Sequence, residues 1–281
     1  MNLAIADRAA ARLRNGTASW RSGYAEDCKS LHPGSIPGEA SNSDPAGASQ
    51  RAVTKESGAT MAQAIPGDEF AARRRHMVDS QLRTCDVTDQ GLLAAFADIP
   101  RENFVQPAVA SLAYLDRDVP ALGGGDRLLL APMTLAKLVQ AANVRAGEKA
   151  LDVAGGSGYG AAVLAALGAQ VTVLEDDAGA LAAAKTLLAG KSIAFVAGAL
   201  AEGAAGGPFA LILVNGAFER APEKLLDQLA EGGRLVGVDA SFRSPKAVLI
   251  ERMSGVYSRR ALFDATAPRL QAFRQIASFA F

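Results

Sequence analysis

The strongest constraint on the fold is an alternation of apolar runs and helical stretches that begins after Gly147. Stretches with helical spacing cover residues 160–167, 178–188 and 222–229. The apolar runs between them are typical of buried parallel strands and occupy residues 150–153, 171–174, 193–196, 209–214 and 235–238. The pattern predicts an α/β fold with a doubly wound, mostly parallel sheet, whose ligands bind outside the carboxyl ends of the strands.

The sequence on either side of this alternation predicts additional elements. After it, residues 247–252 and 257–263 are expected to pair as antiparallel strands. Before it, helical spacing from Glu69 predicts one helix, and Thr88 is a candidate cap for a second. Residues 1–62 are rich in Ser, Gly, Pro and Ala, which predicts a disordered or mis-assigned N-terminal extension. The predicted divisions are residues 1–62, a helical subdomain over 63–146 and a ligand-binding domain over 147–281.

Charge and cysteine content exclude several classes of function. Basic and acidic residues number 29 each, so the sequence predicts no basic face for nucleic acid or for a membrane surface. Cys28 and Cys85 match neither a disulfide framework nor the spacing of metal ligands, and we expect no metal site. No apolar stretch reaches the length of a membrane span. These features favour a cytoplasmic protein, which we expect to be a monomer.

The sequence LDVAGGSGYG, residues 151–160, ends the first predicted strand with Asp152 and continues into glycines. Glycines at this position let the backbone approach a ligand that a side chain would block. The spacing fits a dinucleotide fingerprint poorly, and the loop has no lysine for a phosphate-binding P-loop. A nucleophile elbow is also excluded, because Tyr159 replaces its last glycine and no histidine follows Ser157. Ser157 is therefore interpreted as a loop residue.

An acid at the end of the second predicted strand narrows the class of ligand. Glu175 closes the sequence VTVLE, about 20 residues after the glycine loop, where a carboxylate can accept hydrogen bonds from both ribose hydroxyls. Asp176 follows directly and could share or take this role. The arrangement favours an adenosine-type ligand without a 2′-phosphate.

Together, the strand-end acid, the glycine loop and the second acid resemble the S-adenosylmethionine site of class I methyltransferases, which have a Rossmann-like fold. More narrowly, the chain resembles protein-L-isoaspartate O-methyltransferases over residues 70–252. The resemblance is carried by MVDSQLRTCDVTDQGLLAAFADIPRENFV, SLAYLDRDVPAL, the glycine loop, FALILVNGA and QLAEGGRLV. The first two segments lie upstream of the glycine loop and are specific to this family.

The resemblance implies methyl transfer from S-adenosylmethionine to the carboxylate of L-isoaspartyl residues in damaged proteins, which is a form of protein repair. Residues 147–281 would then form the S-adenosylmethionine-binding methyltransferase domain, and the partners would be proteins or peptides that bear isoaspartate. The cofactor-binding residues that it implies are Asp152, Gly155, Gly156, Ser157, Gly158, Tyr159, Glu175, Asp176, Ala199 and Asn215.

The chain departs from the family pattern on the acceptor side. A family segment similar to GQTISQP presents a serine hydroxyl to the acceptor carboxylate, whereas this chain has DRLLLAP at residues 126–132. The serine position falls on Leu130 and the second glutamine on Ala131, and losing a donor to a charged group costs about 1.5 to 3 kcal/mol. Arg127 and Thr134 are the candidate replacements. On this interpretation, Leu130→Ser is expected to raise activity.

Further departures concern the cofactor side. The family's Gly-Asp-Gly after the third strand is replaced by Gly198, Ala199 and Leu200, so the acid expected near the adenine is missing. Asn215 stands where the family often carries threonine. Two alternatives therefore stay open: a methyltransferase with the same cofactor and a different acceptor, and a non-catalytic member that only binds S-adenosylmethionine.

Overall fold

The computed structural model describes residues 67–275, which belong to one compact unit. The predicted N-terminal extension lies outside the described residues. The first helix, α1, spans Gly67–Met77 and continues through a π-helical turn at Val78–Leu82 and a 3₁₀ turn at Arg83–Cys85. None of the helices within residues 67–275 combines the length and the apolar character that a membrane span requires.

Helix α2, Gln90–Asp98, is capped by Asp89 rather than by the predicted Thr88. The Asp89 carboxylate accepts a hydrogen bond from the backbone N–H of Leu92 at 3.0 Å, which satisfies one free donor of the first turn. The backbone N–H of Thr88 instead donates to the side chain of Gln140 at 2.7 Å. The prediction at Thr88 was therefore wrong by one residue, because this contact with a distant helix was not visible in the local sequence.

The chain then forms two 3₁₀ turns, Arg101–Phe104 and Pro107–Leu112. A short antiparallel ribbon follows, made of β1, Val119–Pro120, and β2, Leu128–Leu129, and the sequence did not predict it. Helix α3, Pro132–Ala142, leads from this ribbon to the main sheet.

The main sheet has seven strands in the order β5-β4-β3-β6-β7-β8-β9. Strands β3 to β7 are parallel, and β8 and β9 form the predicted antiparallel pair at one edge. The strands are β3 Lys149–Val153, β4 Gln170–Glu175, β5 Ile193–Ala197, β6 Phe209–Phe218, β7 Leu229–Asp239, β8 Lys246–Met253 and β9 Val256–Asp264. The helices between them are α4 Tyr159–Ala166, α5 Ala178–Leu187 and α6 Glu223–Asp227. The doubly wound Rossmann-like prediction is thus confirmed, and its strand order reverses between β3 and β6.

Side chains of alternate residues in β3 enter different apolar clusters. Ala150 belongs to the cluster that includes α3 and α4, whereas Leu151 and Val153 belong to a second cluster. This alternation is the period-2 geometry of a strand that is covered on both faces. It fixes the direction of Asp152, at the carboxyl end of the strand.

After β9 the chain returns to the end of β6. The N–H of Ala217 donates to the carbonyl of Pro268 at 2.7 Å, and the N–H of Leu270 donates to the carbonyl of Ala217 at 3.0 Å. Leu270 and Phe273 are buried in the second apolar cluster and anchor this C-terminal segment. The segment therefore lies beside the carboxyl ends of the parallel strands, where the sequence predicted a ligand site.

Candidate functional site

Two cavities lie close to the predicted site residues. The strand-end cavity, about 410 Å³, is formed at the carboxyl ends of β4, β5 and β6. Its lining includes Arg127, Leu128, Asp176, Asp177, Leu200, Asn215, Pro268 and Arg269. The ribbon-side cavity, about 690 Å³, lies between the β1–β2 ribbon, the start of α3 and the end of β9. Leu128 lines both, so its side chain forms part of the wall between them.

Glu175 ends β4 with a fully buried carboxylate. Its Oε1 accepts hydrogen bonds from the backbone N–H groups of Asp176 at 3.0 Å and Asp177 at 3.1 Å. Its Oε2 accepts one from the N–H of Gly156 at 3.0 Å, so the acid is tied directly to the glycine loop. Burial raises the pKa of Glu175, and the charge of Arg127 opposes this rise. The two parts of the predicted ribose site are therefore in contact.

The guanidinium of Arg127 lies against the two predicted ribose-binding acids. Its Nε donates to Oε1 of Glu175 at 2.8 Å, and its Nη2 donates to the carboxylate of Asp176. The Arg127 side chain is 16% exposed, against 41% for Asp176, so the pair with Glu175 is the buried one. Sequence reasoning assigned Arg127 to the acceptor, whereas the structure brings it to the strand-end cavity.

Asp152 is fully buried at the end of β3 and has one oxygen without a partner among the described residues. Its Oδ1 accepts a hydrogen bond from Nδ2 of Asn215 at 2.7 Å, while Oδ2 is the unpaired atom. Burial raises the pKa of Asp152 to about 7, although the hydrogen bond from Asn215 lowers this pKa. An unpaired buried carboxylate oxygen favours a cationic or hydrogen-bond-donating ligand beside it.

The glycine loop packs so tightly that several of its positions exclude a side chain. A methyl group at Gly155 would overlap Oδ2 of Asp152. Gly156 and Gly158 have φ values of 61° and 90°, in the left-handed region that glycine favours. Ala154 also has a positive φ, 55°, which is strained for a residue with a Cβ. The loop therefore brings its backbone close to Asp152 and Glu175.

Ser157 and Tyr159 connect the loop to the helical part of the unit instead of lining either cavity. The Ser157 hydroxyl donates to the carbonyl of Phe104, and the ring of Tyr159 lies edge-on to those of Phe96 and Phe104. Both residues are fully buried. Arg101 lies over the Tyr159 ring, 4.8 Å from its centre. These contacts place Ser157 and Tyr159 among the residues that position the loop.

The side chain of Leu130 is buried in the core and lines neither cavity. Its carbonyl accepts a hydrogen bond at 2.7 Å from Arg101, which is fully buried and also donates to the carbonyl of Ala113 at 2.8 Å. Thr134, in the first turn of α3, lines the ribbon-side cavity. Of the predicted acceptor residues, Thr134 and Arg127 thus border different cavities.

Several residues at the strand-end cavity were missed by sequence reasoning. Ala199 is exposed and does not line the cavity, whereas the next residue, Leu200, is buried and does. Pro268 and Arg269 reach the cavity because the C-terminal segment returns to β6. Leu200 could have been found from its place after the third predicted strand. The return of the C-terminal segment leaves no local signal.

Comparisons with known proteins indicate one family for this chain. The family model described as protein-L-isoaspartate(D-aspartate) O-methyltransferase matches residues 72–255. A protein-L-isoaspartate O-methyltransferase from Koribacter versatilis is 36% identical over 199 residues, which cover 69% of this chain and 89% of the relative. One of the same name from Gloeobacter violaceus is 40% identical over 164 residues, which cover 57% and 79%.

Solved structures with similar folds include two described with the same enzyme name. One superposes with a TM-score of 0.61 at 23% identity, and the match covers 70% of this chain and 65% of the solved chain. The other, from Plasmodium falciparum in complex with S-adenosyl-L-homocysteine, has a TM-score of 0.62 at 19% identity. The match covers 71% of this chain and 98% of the solved chain. At these identities the structures establish the fold, while the sequence matches extend over both the helical part and the sheet. The chain belongs to the protein-L-isoaspartate(D-aspartate) O-methyltransferase family.

Proposed function

We propose that this chain transfers a methyl group from S-adenosylmethionine to the free carboxylate of L-isoaspartyl residues in damaged proteins. The observation that carries the proposal is the family match over residues 72–255, because it includes the helical part as well as the sheet. We further propose that the protein acts as a monomer in the cytoplasm, on protein or peptide partners. The division into domains at residues 146 and 147 remains a prediction.

The strand-end cavity is the proposed cofactor site. S-adenosylmethionine carries a sulfonium and an ammonium group, and the unpaired Oδ2 of Asp152 beside Gly155 suits such a cation. Asn215 holds the other oxygen of Asp152 and lines the cavity. Glu175 and Asp176 supply carboxylates at the end of β4 for ribose hydroxyls. The charged and polar groups that line this cavity, with the buried acids Asp152 and Glu175 next to them, therefore match the chemistry of the cofactor.

The proposed chemistry needs little acid or base assistance from the protein. S-adenosylmethionine supplies an electrophilic methyl group when it is bound. An isoaspartyl carboxylate is ionised at neutral pH, so no side chain has to remove a proton from it. The protein's contribution is to align the acceptor oxygen with the methyl group, and such alignment can supply roughly 7 to 11 kcal/mol. A site without a Ser-His-Asp or Cys-His constellation is consistent with this reaction.

We propose that the acceptor enters through the ribbon-side cavity. Thr134 offers a hydroxyl there, and Leu128 lies in the wall that separates this cavity from the cofactor site. Leu130 occupies the position of the family's serine, so no hydroxyl is present there, and its side chain is buried in the core. Arg127 borders the strand-end cavity and can approach the acceptor only if its guanidinium leaves Glu175.

The charges of the ribbon-side cavity favour one alternative, namely a different acceptor. Asp116, Asp118 and Asp264 line it together with the cation Arg117, and Asp264 also forms an ion pair with Lys246. Burial raises the pKa of Asp118, although the N–H of Ala131 and the charge of Arg101 lower it. A predominantly acidic lining repels a second carboxylate unless the acids are neutralised. Screening proteins, peptides and small acids for labelled methyl product separates this alternative from the first.

The direct test uses two peptides of one sequence, one with isoaspartate and one with ordinary aspartate, and S-adenosylmethionine with a labelled methyl group. We expect base-labile label on the isoaspartyl peptide alone, with a Koribacter or Gloeobacter relative as the positive control. No label above background, from a folded protein, contradicts the proposed reaction. If S-adenosylhomocysteine still binds tightly in that case, the non-catalytic alternative is supported.

A further inference from the structure

We infer that Arg127 competes with the ribose of the ligand for the carboxylate of Glu175, and so limits how tightly the strand-end cavity binds a nucleoside. The inference rests on the proposed function, because it takes S-adenosylmethionine or its product S-adenosylhomocysteine as the ligand. It assigns to Arg127 a role in determining ligand affinity on the cofactor side.

Glu175 already accepts four hydrogen bonds from the protein. Its Oε1 receives the Nε–H of Arg127 at 2.8 Å and two backbone N–H groups, while Oε2 receives the N–H of Gly156 at 3.0 Å. A carboxylate offers about four acceptor positions, so these donors saturate it. The side chain is also 0% exposed. A ribose hydroxyl can bind Glu175 only if a protein donor leaves.

Only one of these donors can leave without unfolding the strand end or the loop. The N–H groups of Gly156, Asp176 and Asp177 are backbone donors, fixed by the glycine loop and by the end of β4. Arg127 instead reaches Glu175 through a long, flexible side chain that borders the strand-end cavity. Arg127 is therefore the mobile donor.

A second acceptor makes this displacement energetically accessible. The Arg127 guanidinium also donates to Asp176, whose side chain is 41% exposed and faces the same cavity. When Arg127 leaves Glu175 it can keep this partner, so its charge is not left buried and unpaired. Glu175 in turn gains a ribose hydroxyl as a donor in the position that Arg127 leaves. After the exchange, the Glu175 carboxylate and the Arg127 guanidinium each still have a hydrogen-bond partner. The ion pair between them is broken, however, and its free energy is subtracted from the ligand affinity.

The test is a calorimetric titration of S-adenosylhomocysteine, and of its 2′-deoxy analogue, into the full chain and two variants. Arg127→Gln removes the charge and keeps a polar side chain of similar reach. Arg83→Gln makes the same substitution at an exposed pair with Asp79, away from both cavities, and serves as the matched control. Thermal unfolding of each protein establishes that it is folded. Arg127→Lys provides a second variant, because it keeps the charge and loses the planar two-point contact.

We expect Arg127→Gln to bind S-adenosylhomocysteine about tenfold or more tightly than the wild type, since a buried ion pair no longer has to break. Arg127→Lys should fall between the two, and Arg83→Gln should match the wild type. Loss of the 2′-hydroxyl should weaken binding more in Arg127→Gln than in the wild type. In the wild type the deoxy ligand competes less with Arg127 for Glu175, and this partly offsets the lost hydrogen bond.

Two results overturn the inference and are distinguishable from each other. Equal or weaker binding by a folded Arg127→Gln means that Arg127 does not compete with the ribose, while the proposed cofactor site survives. An absence of binding by the wild type and by both Arg127 variants contradicts the competition and the proposed cofactor together.

Discussion

The strand-end cavity and the ribbon-side cavity share the side chain of Leu128 but are built in different ways. At the strand-end cavity, Asn215 and Asp176 lie within or directly after parallel strands, while the cations Arg127 and Arg269 come from the segment before β2 and from the C-terminal segment. The ribbon-side cavity takes most of its polar groups from loops and from the first turn of α3, such as Asp118 and Thr134, and takes Asp264 from the end of β9. The sheet therefore positions part of the proposed cofactor side, whereas the proposed acceptor side depends more on how loops pack, and there the sequence departs from the family pattern.

The largest effect that we expect concerns Asp152, the buried acid near the end of β3 that is hydrogen-bonded to Asn215 of the strand-end cavity. Its pKa is about 7 in the folded protein because of burial, and about 4 in an unfolded chain. As pH rises from about 4 to 7, the unfolded chain releases this proton and the folded protein keeps it. The free energy of unfolding should therefore fall by on the order of 4 kcal/mol over this window. It should level off at higher pH.

Denaturant titrations of Asp152→Asn across this pH range measure the effect. The amide keeps an oxygen for Asn215 and cannot ionise, so the variant should gain stability relative to the wild type as pH rises. Asp79→Asn replaces an exposed carboxyl and serves as the control. A constant difference between wild type and Asp152→Asn from pH 4 to 8 would show that burial does not disfavour this charge.

The next effect tests the acceptor side at Leu130. Because this side chain is buried in the core, Leu130→Ser should lower the free energy of unfolding by about 3 kcal/mol. This location replaces the expectation that a serine there restores activity, since its hydroxyl would lie away from both cavities. Leu128→Ser, at a half-buried position in the same segment, should cost less than about 1 kcal/mol. A large gain in methyl transfer by Leu130→Ser would place this residue in the acceptor site after all.

A smaller effect is expected at the glycine loop. A methyl group at Gly155 overlaps Asp152, so Gly155→Ala should lower the free energy of unfolding by about 2 kcal/mol and weaken binding of S-adenosylhomocysteine. At Gly198 the nearest atom to an added Cβ is Cδ1 of Leu174 at 3.5 Å, an ordinary contact, which makes Gly198→Ala the matched control. Equal urea midpoints for the two variants would show that the loop can relax.

The smallest effect is a gain in stability at Ala154. Its φ of 55° is unfavourable for alanine and free of strain for glycine, so Ala154→Gly should stabilise the protein by about 1 kcal/mol. Thermal unfolding measures this gain directly. A lower melting temperature would mean that the entropy of the added glycine outweighs the relieved strain.

The sequence predicted most of the sheet because its apolar runs follow the period of buried strands. Each predicted strand is present, and Glu175 and the glycine loop meet as expected, since adjacent parallel strands end at one edge. The remainder depended on long-range contacts that carry no local signal. The ion pair of Arg127 with Glu175 joins residues 48 positions apart, and the C-terminal segment reaches Ala217 from residue 268.

Tertiary packing also decided which way individual side chains point. Tyr159 and Ser157 belong to the glycine loop in sequence, yet they face the helical part and position the loop. Leu130 aligns with a residue that contacts the acceptor in the family, yet it enters the core while Arg101 holds its carbonyl. Spacing placed these residues in the glycine loop and in the segment before α3, but spacing alone could not give the direction of their side chains.

The most direct test of the central claim, that the strand-end cavity holds the cofactor, is a crystal structure of the full chain with S-adenosylhomocysteine. We predict the nucleoside in that cavity, with a ribose hydroxyl on Glu175, its ammonium group toward Asp152, and the Arg127 guanidinium displaced toward Asp176. Density for the ligand in the ribbon-side cavity, with the Arg127 and Glu175 pair intact, would contradict the account.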